Sequence, residues 1–461
     1  MVGGGVTGKT VVRFLVVGAA LACLVLEKSG LAIAETQLVR PEIPGYETPD
    51  WEGPLRQAVP RTLAAEYADL AILAFGLILA SYFALRLRSR RWLILLAIGA
   101  VVWLGFLRKG CICSVGAIQN VVLSLSSPGY TVPFFVVLIF VLPLVFTLLF
   151  GRTFCAAVCP LGAFQELLAL YPVRIPQWVD DVVGLLAHIY LGLAIVVTSI
   201  SGAFLICQYD PVVSFFRLGG NWEIWLFSFG VILLGIFIAR PYCRFLCPLG
   251  AIFRIFSPFS RWHLRIPPEP CILCRLCEGV CPYNAIRRPT EVESGRAERV
   301  SGSLIYGTLL VIGGLLVIFP LLGYGMGPTV SRLDRRVQLA ERVWQEETGL
   351  VEGTTDASEV FRRSGIPIAE LYRQAAEVEG KYRTGMAILG FWVASVLAGK
   401  WIQLRFPFPR TEYEPERGKC FSCGRCLRFC PLERKRLGLL DAESLDVYVA
   451  QQFGRTGDKA R

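Results

Sequence analysis

The sequence contains few charged residues and almost no histidine. Only 18% of its 461 residues are charged and 54% are hydrophobic. Soluble globular proteins are about 25% charged, so an ordinary water-soluble enzyme is excluded. Two histidines in the whole chain argue against haem ligation by histidine pairs. A nucleotide-binding glycine loop, a hydrolytic triad and the helical metalloprotease motif are also absent from the sequence, and we assign no catalytic residue.

Apolar runs long enough to cross a bilayer recur along the chain. A first run at 14–26 is typical either of a signal peptide cut after Ala34 or of a retained anchor. The proline-rich and acidic residues 35–66 then predict an extracytoplasmic segment. We predict further spans at 70–85, 92–107, 132–150, 185–206, 224–238, 304–322 and 386–402.

The sidedness of these spans follows from their basic residues. The link 86–91 carries four arginines and belongs in the cytoplasm by the positive-inside rule. Counting spans from it places 240–303 and the tail from 403 in the cytoplasm, and 108–131, 207–222 and 323–385 outside. The net charge of +11 lies mainly beside the spans, so we expect no nucleic-acid partner. The sequence predicts a multi-pass protein of the inner (cytoplasmic) membrane.

Two runs have the complete C-x2-C-x2-C-x3-C-P spacing of bacterial ferredoxins. In such proteins the fourth cysteine of each run ligates the other cluster. One [4Fe-4S] cluster would therefore use Cys271, Cys274, Cys277 and Cys430. The other would use Cys420, Cys423, Cys426 and Cys281. The two predicted spans between the runs return the chain to the cytoplasm. Paired C-x2-C motifs also suit zinc, but neither run is divided into two distant pairs.

A second cysteine motif, C-x3-C-P, occurs twice in one frame. Cys155 and Cys159 recur 88 positions later as Cys243 and Cys247. Cysteines at i and i+4 share a helical face. Two such pairs predict a third site, for an iron–sulfur cluster or a single metal ion. The alternative is that all four are buried, inert cysteines.

Three further cysteines lie on the predicted outer side: Cys111, Cys113 and Cys207. They are interpreted either as an outer redox or metal site or as the source of a structural disulfide. We assign Cys23 to packing. His188, near the start of a span, predicts either a quinone contact or a packed hydrogen bond.

The sequence also contains arginines beside the cysteines and two amphipathic segments. Arginines beside the cysteines would favour the reduced, more negative state of a cluster: Arg244, Arg275, Arg425 and Arg428. Segments 331–348 and 358–381 have the apolar spacing of amphipathic helices. They predict a docking surface for an extracytoplasmic partner or a self-packed helical hairpin.

The fold class is therefore mainly α. We expect a polytopic helical membrane protein with a small ferredoxin-like (α+β) cytoplasmic module, split by a two-helix membrane insertion. The predicted domains are the N-terminal segment 1–34, the extracytoplasmic segment 35–66, the transmembrane domain 67–260, the first ferredoxin half 261–300, the membrane helix pair with its extracytoplasmic helical loop 301–405, and the second ferredoxin half with the tail 406–461.

These motifs together resemble the membrane polyferredoxins of the NosR/NapH type. The resemblance covers residues 70–431 and includes the two Cys-Pro-Leu-Gly-Ala segments and both ferredoxin runs. It implies an iron–sulfur electron conduit between a cytoplasmic or quinone pool and an extracytoplasmic reductase or cytochrome. The protein would then be the electron-transfer component of a membrane oxidoreductase, similar to a quinol dehydrogenase. The short segment before Glu66 has no room for the flavin-carrying domain of NosR, and the membrane insertion within the ferredoxin module is also a departure.

Two other functions suit the same cysteines. One is a copper reductase or assembly factor for a respiratory oxidase. The other is a scaffold subunit whose iron–sulfur clusters are structural.

Overall fold

A computed structural model describes residues 62–110, 113–127, 129–219, 221–266, 271–290, 302–406, 410–441 and 448–449. The expectations for Cys23, Cys111 and the segment 1–34 lie outside these residues, as does most of 35–66. The described chain is mainly helical, with one two-stranded antiparallel sheet. The predicted mainly α class is confirmed.

The helices, in chain order, are α1 (Leu63–Ser81), α2 (Arg90–Ala100), α3 (Ser114–Ser126), α4 (Phe134–Phe150), α5 (Pro160–Leu168), α6 (Gln177–Val183), α7 (Leu186–Ser201), α8 (Leu205–Tyr209), α9 (Pro211–Arg217), α10 (Trp222–Phe237), α11 (Pro241–Phe245), α12 (Pro248–Phe256), α13 (Leu276–Val280), α14 (Gly302–Ser331), α15 (Arg335–Glu347), α16 (Asp356–Arg363), α17 (Ile368–Arg405), α18 (Arg425–Phe429) and α19 (Pro431–Arg436). The strands are β1 (Ile286–Arg287) and β2 (Glu414–Pro415). Short π-helical segments extend α1 to Arg86 and α2 to Leu107, and a third covers Phe154–Val158.

Five helical stretches are long and apolar enough to cross a membrane: Leu63–Arg86, Arg90–Leu107, Gln177–Ser201, Ile305–Ser331 and Ile368–Arg405. They correspond to five of the seven predicted spans. The other two, α4 and α10, have 17 and 16 residues and fall short of the about 20 residues usual for a span. Helix α3 is a further apolar helix that the sequence interpretation did not treat as a span.

Helices α14 and α17 form the membrane pair that interrupts the ferredoxin module. Glycines let their backbones approach closely, because a Cβ on Gly323 would collide with the carbonyl group of Met386. A Cβ on Gly390 would likewise meet the carbonyl group of Phe319. Helix α17 is continuous over 38 residues, so it includes both the end of the second amphipathic segment and the last predicted span.

The loop between these two helices packs on itself. Ala340 and Val343 of α15, Phe361 of α16 and Leu371 of α17 form a separate small apolar core. Trp344, in the same segment, is half exposed. This arrangement matches the self-packed hairpin, which was one of the two alternatives for these segments.

Candidate metal centres

The two ferredoxin runs fold their backbones in the same way. In the first run Leu273 and Arg275 have positive φ angles of 55° and 58°. The equivalent residues of the second run, Ser422 and Gly424, have φ angles of 53° and 71°. Left-handed residues at alternating positions turn successive backbone N–H groups toward one centre, a concavity that suits anionic groups such as iron–sulfur clusters. Non-glycine residues keep this conformation only where their surroundings impose it.

The two distant halves meet through the small sheet. Strand β1 pairs with β2, with Ile286 opposite Pro415 and Arg287 opposite Glu414. The N–H of Glu416 also donates to the carbonyl oxygen of Ala285 at 2.6 Å. One compact unit is thereby built from residues on either side of the membrane pair.

The cysteines of the two runs interleave in this unit. Burial raises the pKa of Cys277 to about 12, and the charges of Cys274, Cys271 and Cys430 contribute. Burial also raises the pKa of Cys420 to about 12, with contributions from Cys423 and Cys281. The fourth cysteine of each run therefore lies near the first three cysteines of the other. We call Cys271, Cys274, Cys277 and Cys430 ferredoxin set one, and Cys281, Cys420, Cys423 and Cys426 ferredoxin set two.

Ferredoxin set one surrounds an open space. All four of its thiols line a cavity of about 320 Å³, a volume that includes space open to solvent. Four cysteine thiols around one cavity are the donor set that a [4Fe-4S] cubane requires. Within the described residues, no three His, Cys, Asp or Glu side chains are grouped so as to hold a single metal ion.

The two C-x3-C-P copies have nearly identical geometry at their second cysteine. Cys159 has φ −64° and ψ 117°, and Cys247 has φ −62° and ψ 116°. Each precedes a nine-residue helix that begins with proline, α5 or α12. Proline favours an extended residue before it and is well suited to the first helical position. The repeated sequence therefore produces a repeated structure.

The four cysteines of the copies, which we call the membrane set, lie together. Burial is the main cause that raises the pKa of Cys159, followed by the charges of Cys243 and Cys155. A Cβ on Gly162 would lie 3.6 Å from Sγ of Cys243, across the repeat. The thiols of the two copies are thus neighbours in the fold, and a side chain on Gly162 would approach Sγ of Cys243.

A buried arginine without an acidic partner lies between the membrane set and ferredoxin set two. Arg152 is 1% exposed, and its Nε and Nη2 atoms make no hydrogen bond. Its Nη1 donates to the carbonyl oxygen of Gly418 at 3.1 Å, and its guanidinium lies 4.1 Å from the centre of the Phe421 ring. Its positive charge lowers the pKa of Cys243 and of Cys420 against the larger effect of burial. A buried cation with free donors fits an anionic group held by the neighbouring thiols.

Glu166, on α5, gathers three arginines and a tyrosine from four parts of the chain. Its Oε1 accepts from Arg90 and Arg425, both at 2.9 Å, and its Oε2 accepts from Arg240 at 3.0 Å. The hydroxyl of Tyr283 donates to Oε2 as well. Burial alone would raise the pKa of Glu166, but the three guanidinium groups hold it well below the ordinary value.

A second buried carboxylate repeats this arrangement. Asp180 accepts from Nε of Arg244 at 2.5 Å and from Nζ of Lys419 at 2.9 Å. Nη1 of Arg244 also donates to the carbonyl oxygen of Pro282 at 3.1 Å. Arg244, Lys419 and Pro282 each adjoin a cysteine of the membrane set or of ferredoxin set two.

These contacts bear on the prediction about the arginines near the cysteines. Arg244 and Arg425 are paired with the buried carboxylates of Asp180 and Glu166, and their charges still lower the pKa of Cys281 and of Cys423 against the larger effect of burial. Arg428 is exposed, where solvent screens it. Among the described residues, Arg152 is a fully buried cation without an acidic partner, and the sequence interpretation did not single it out.

The outer cysteines and His188 have definite positions. A Cβ on Gly116 would lie 3.3 Å from Sγ of Cys207 and 3.9 Å from Sγ of Cys113, and both are free thiols. The charge of Cys113 also contributes to the raised pKa of Cys159. Cys113 is therefore an electrostatic neighbour of the membrane set. Nδ1 of His188 lies 3.3 Å from the carbonyl oxygen of Gly184. This contact matches the packed hydrogen bond, which was one of the two alternatives for His188.

Sequence reasoning missed the residues that join these sites. Arg152 and Arg240 occupy equivalent positions in the two copies, three residues before the first cysteine, and that repetition was a usable signal. Glu166 is a lone acid in an apolar stretch, which is a weaker signal. Its partners come from 74 to 259 residues away, and nothing local reveals them.

Comparison with known proteins agrees with this arrangement. A family model described as a 4Fe–4S binding domain matches residues 132–177 and 221–267, which contain both C-x3-C-P copies. A second 4Fe–4S binding domain model matches residues 264–287, the first ferredoxin run. No solved structure matches the chain.

Relatives are found in bacteria and archaea. An uncharacterized protein of Methanocaldococcus jannaschii is 30% identical over 192 residues, which are 39% of this chain and 77% of the relative. Protein NirI of Paracoccus denitrificans is 35% identical over 153 residues, 30% of this chain and 22% of NirI. Regulatory protein NosR of Pseudomonas aeruginosa is 32% identical over 162 residues, 32% of this chain and 22% of NosR. The similarity to NirI and NosR thus spans about a fifth of each protein.

Proposed function

Because this chain belongs to the NosR/NapH-type family of membrane 4Fe–4S proteins, we propose that it relays electrons between a cytoplasmic donor or the quinone pool and an extracytoplasmic redox partner. The general activity of the family is electron transfer. Bound iron–sulfur clusters would supply it by accepting and releasing single electrons. The residues of the chain would hold these clusters, space them and set their electrostatic surroundings.

The interleaving of the two ferredoxin runs is the observation that carries the proposal. Strands β1 and β2 bring together cysteines that are more than a hundred residues apart in sequence. In our proposal, ferredoxin sets one and two hold one [4Fe-4S] cluster each, and the membrane set holds a third metal centre. The shared left-handed residues of the runs support the first part. The unpaired Arg152 beside the membrane set supports the second.

The positions of the three cysteine sets support an order in which electrons pass between them. Ferredoxin set one lies at the surface, where the neighbouring Ile272 and Leu273 are about half exposed. Ferredoxin set two is closer to the membrane set, because the charge of Arg152 reaches cysteines of both. In the proposed relay, a partner exchanges electrons at set one, and set two connects set one with the membrane set. Cys113 and Cys207 would continue the relay.

The arginine link supports a cytoplasmic location for the ferredoxin module. Nη2 of Arg88 donates to the carbonyl oxygen of Ile266 at 2.6 Å, and its Nε pairs with Glu433 at 2.9 Å. Nη1 of Arg90 donates to the carbonyl oxygen of Cys423 at 3.1 Å. The link and the module therefore lie on one side of the membrane, and four arginines favour the cytoplasmic side.

Iron and acid-labile sulfide analysis of the full-length protein, purified without oxygen, tests this proposal together with electron paramagnetic resonance of the reduced form. We expect about eight iron and eight sulfide atoms for two cubanes, plus the metal of the third centre. Cys420→Ser should remove one cubane signal. Cys23→Ser, at a cysteine assigned to packing, should leave the iron content unchanged. Iron-free protein would refute the proposal.

The outer thiols require a separate test. In vesicles carrying the purified protein, a reductant on one side and an acceptor on the other report electron flow across the membrane. We expect the double substitution of Cys113 and Cys207 to serine to slow this flow while the iron content stays unchanged. Unchanged flow would show that these thiols are not part of the relay.

A further inference from the structure

Glu166 connects two cysteine sets without belonging to either. Through Arg240 it reaches the membrane set, because Nη1 and Nη2 of Arg240 donate to the carbonyl oxygens of Cys155 and Ala156. Through Arg90 it reaches ferredoxin set two, because that arginine donates to the carbonyl oxygen of Cys423. A single carboxylate therefore lies in the middle of a hydrogen-bonded chain from one set of cysteines to the other.

Glu166 offsets part of the positive charge of the three arginines that surround it. Arg240 is fully buried, and the side chains of Arg90 and Arg425 are 16% and 14% exposed. One negative charge thus stands against three positive charges in a region of low dielectric, and Arg152 adds a fourth nearby. Removing the negative charge would leave three guanidinium groups beside both cysteine sets.

We propose that Glu166 is a positioning residue whose charge sets the reduction potentials of the centres held by the membrane set and by ferredoxin set two, while the centre at ferredoxin set one is insensitive to it. This inference rests on the proposed function, since it presupposes that the sets hold redox centres. Loss of a negative charge favours the reduced, more negative state of a cluster. The potentials of the two neighbouring centres therefore rise when Glu166 is neutralised.

The chain contains a matched carboxylate at the other ferredoxin set. Glu433 is fully buried and pairs with Arg88 at 2.9 Å and Arg436 at 2.6 Å. It follows Cys430 of ferredoxin set one by three residues, and its charge contributes to raising the pKa of that thiol. Glu433 therefore lies beside ferredoxin set one, whereas Glu166 lies between ferredoxin set two and the membrane set.

The experiment is a potentiometric titration of the purified full-length protein, followed by electron paramagnetic resonance, for the wild type, Glu166→Gln and Glu433→Gln. We expect Glu166→Gln to shift set two and the third centre to more positive potentials. The electron distribution between the two ferredoxin clusters should change about tenfold, about 59 mV for a one-electron couple. Glu433→Gln should shift set one instead. Glu166→Asp, which keeps the charge, should stay close to the wild type.

The possible results separate this inference from the proposed function. If the wild type holds no iron, the proposed function fails. If Glu166→Gln retains its iron and sulfide but every potential is unchanged, or if set one shifts as much as set two, only the role of Glu166 is refuted. Should Glu166→Gln not assemble, Arg90→Gln provides the test. It removes a positive charge and leaves Glu166 paired with two arginines, so set two should shift to more negative potentials, and an unchanged potential would refute the role.

Discussion

Seven residues after the second cysteine, the first C-x3-C-P copy carries Glu166 and the second carries Arg254. The helices on which they lie have the same length and the same starting geometry. Glu166 accepts hydrogen bonds from three arginines, whereas Arg254 donates to the carbonyl oxygens of Arg244 at 2.5 Å and Gly184 at 3.4 Å. Burial, followed by the charge of Arg152, lowers the pKa of Arg254 to about 10. The copies therefore share a backbone from the second cysteine onward and differ in charge.

The difference in charge explains how two similar C-x3-C-P copies bind the ferredoxin module, which lacks their symmetry. The carboxylate of the first copy receives Arg425 from the second ferredoxin run. The second copy contributes Arg240 and Arg244, which pair with Glu166 and Asp180. If the ferredoxin module were rotated so that Arg425 faced the second copy, this arginine would meet the positive charge of Arg254. The repeat positions the thiols, and its differences in charge fix the orientation of the module.

The largest expected effect tests whether the two copies build one centre. Cys155→Ser and Cys243→Ser each remove one thiol from a different copy. If the copies share a centre, either variant alone loses its metal, while both ferredoxin signals persist. Metal analysis and electron paramagnetic resonance measure this. A third centre that survives in one variant only would show that the copies work separately.

The next effect separates the two equivalent arginines. Arg240→Gln breaks a buried ion pair and leaves backbone carbonyl groups without donors, so we expect a destabilisation of about 3–5 kcal/mol. Arg152→Gln removes a buried charge that has no acidic partner, and in metal-free protein it should cost only about 1 kcal/mol. Thermal unfolding in detergent compares them. Equal losses would contradict the asymmetry of the two copies.

Two glycines give a smaller contrast. A Cβ on Gly250 would lie 2.9 Å from the carbonyl oxygen of Cys243, whereas a Cβ on Gly162 would lie 3.2 Å from that of Cys155. We expect Gly250→Ala to destabilise the protein by about 1–3 kcal/mol and Gly162→Ala by less. Unfolding midpoints measured under one set of conditions check the order. The reverse order would mean that the second copy relaxes more readily.

The smallest effect belongs to a surface ion pair of the ferredoxin module. Nε of Arg288 lies 2.8 Å from Oε1 of Glu278, but the arginine side chain is 67% exposed. Arg288→Ala should change the unfolding free energy by less than about 1 kcal/mol, because solvent screens exposed pairs. The same unfolding assay measures it. A loss as large as that of Arg240→Gln would show that burial does not decide the strength of these pairs.

The sequence was sufficient to predict the helical class and the membrane helices with strong apolar runs. The C-x2-C-x2-C-x3-C spacing is a local property of the chain, so the grouping of the cysteines could also be predicted, and it stays a prediction. The boundaries of α17 were not predictable, since its amphipathic half and its apolar half follow different patterns although they form one helix. Local hydropathy also did not reveal that α4 and α10 are short.

The connections between sites were beyond the sequence for a physical reason. The carboxylate of Glu166 is stabilised by partners at positions 90, 240, 283 and 425, which only the folded chain brings together. The same holds for Cys113, which the sequence placed across the membrane from the C-x3-C-P cysteines. The electrostatic effect of Cys113 on Cys159 depends on how the helices pack, and no periodic pattern in the sequence predicts that packing.

The pairing of β1 with β2 has a consequence for biogenesis. A ribosome completes residue 287 long before residue 414, and the intervening helices α14 and α17 have to be inserted into the bilayer first. The first cysteine run therefore waits, without its partner thiol, through the synthesis of an entire membrane hairpin. Neither ferredoxin set therefore has all its thiols until the last membrane helix has been synthesised, because set one needs Cys430 and set two needs Cys420.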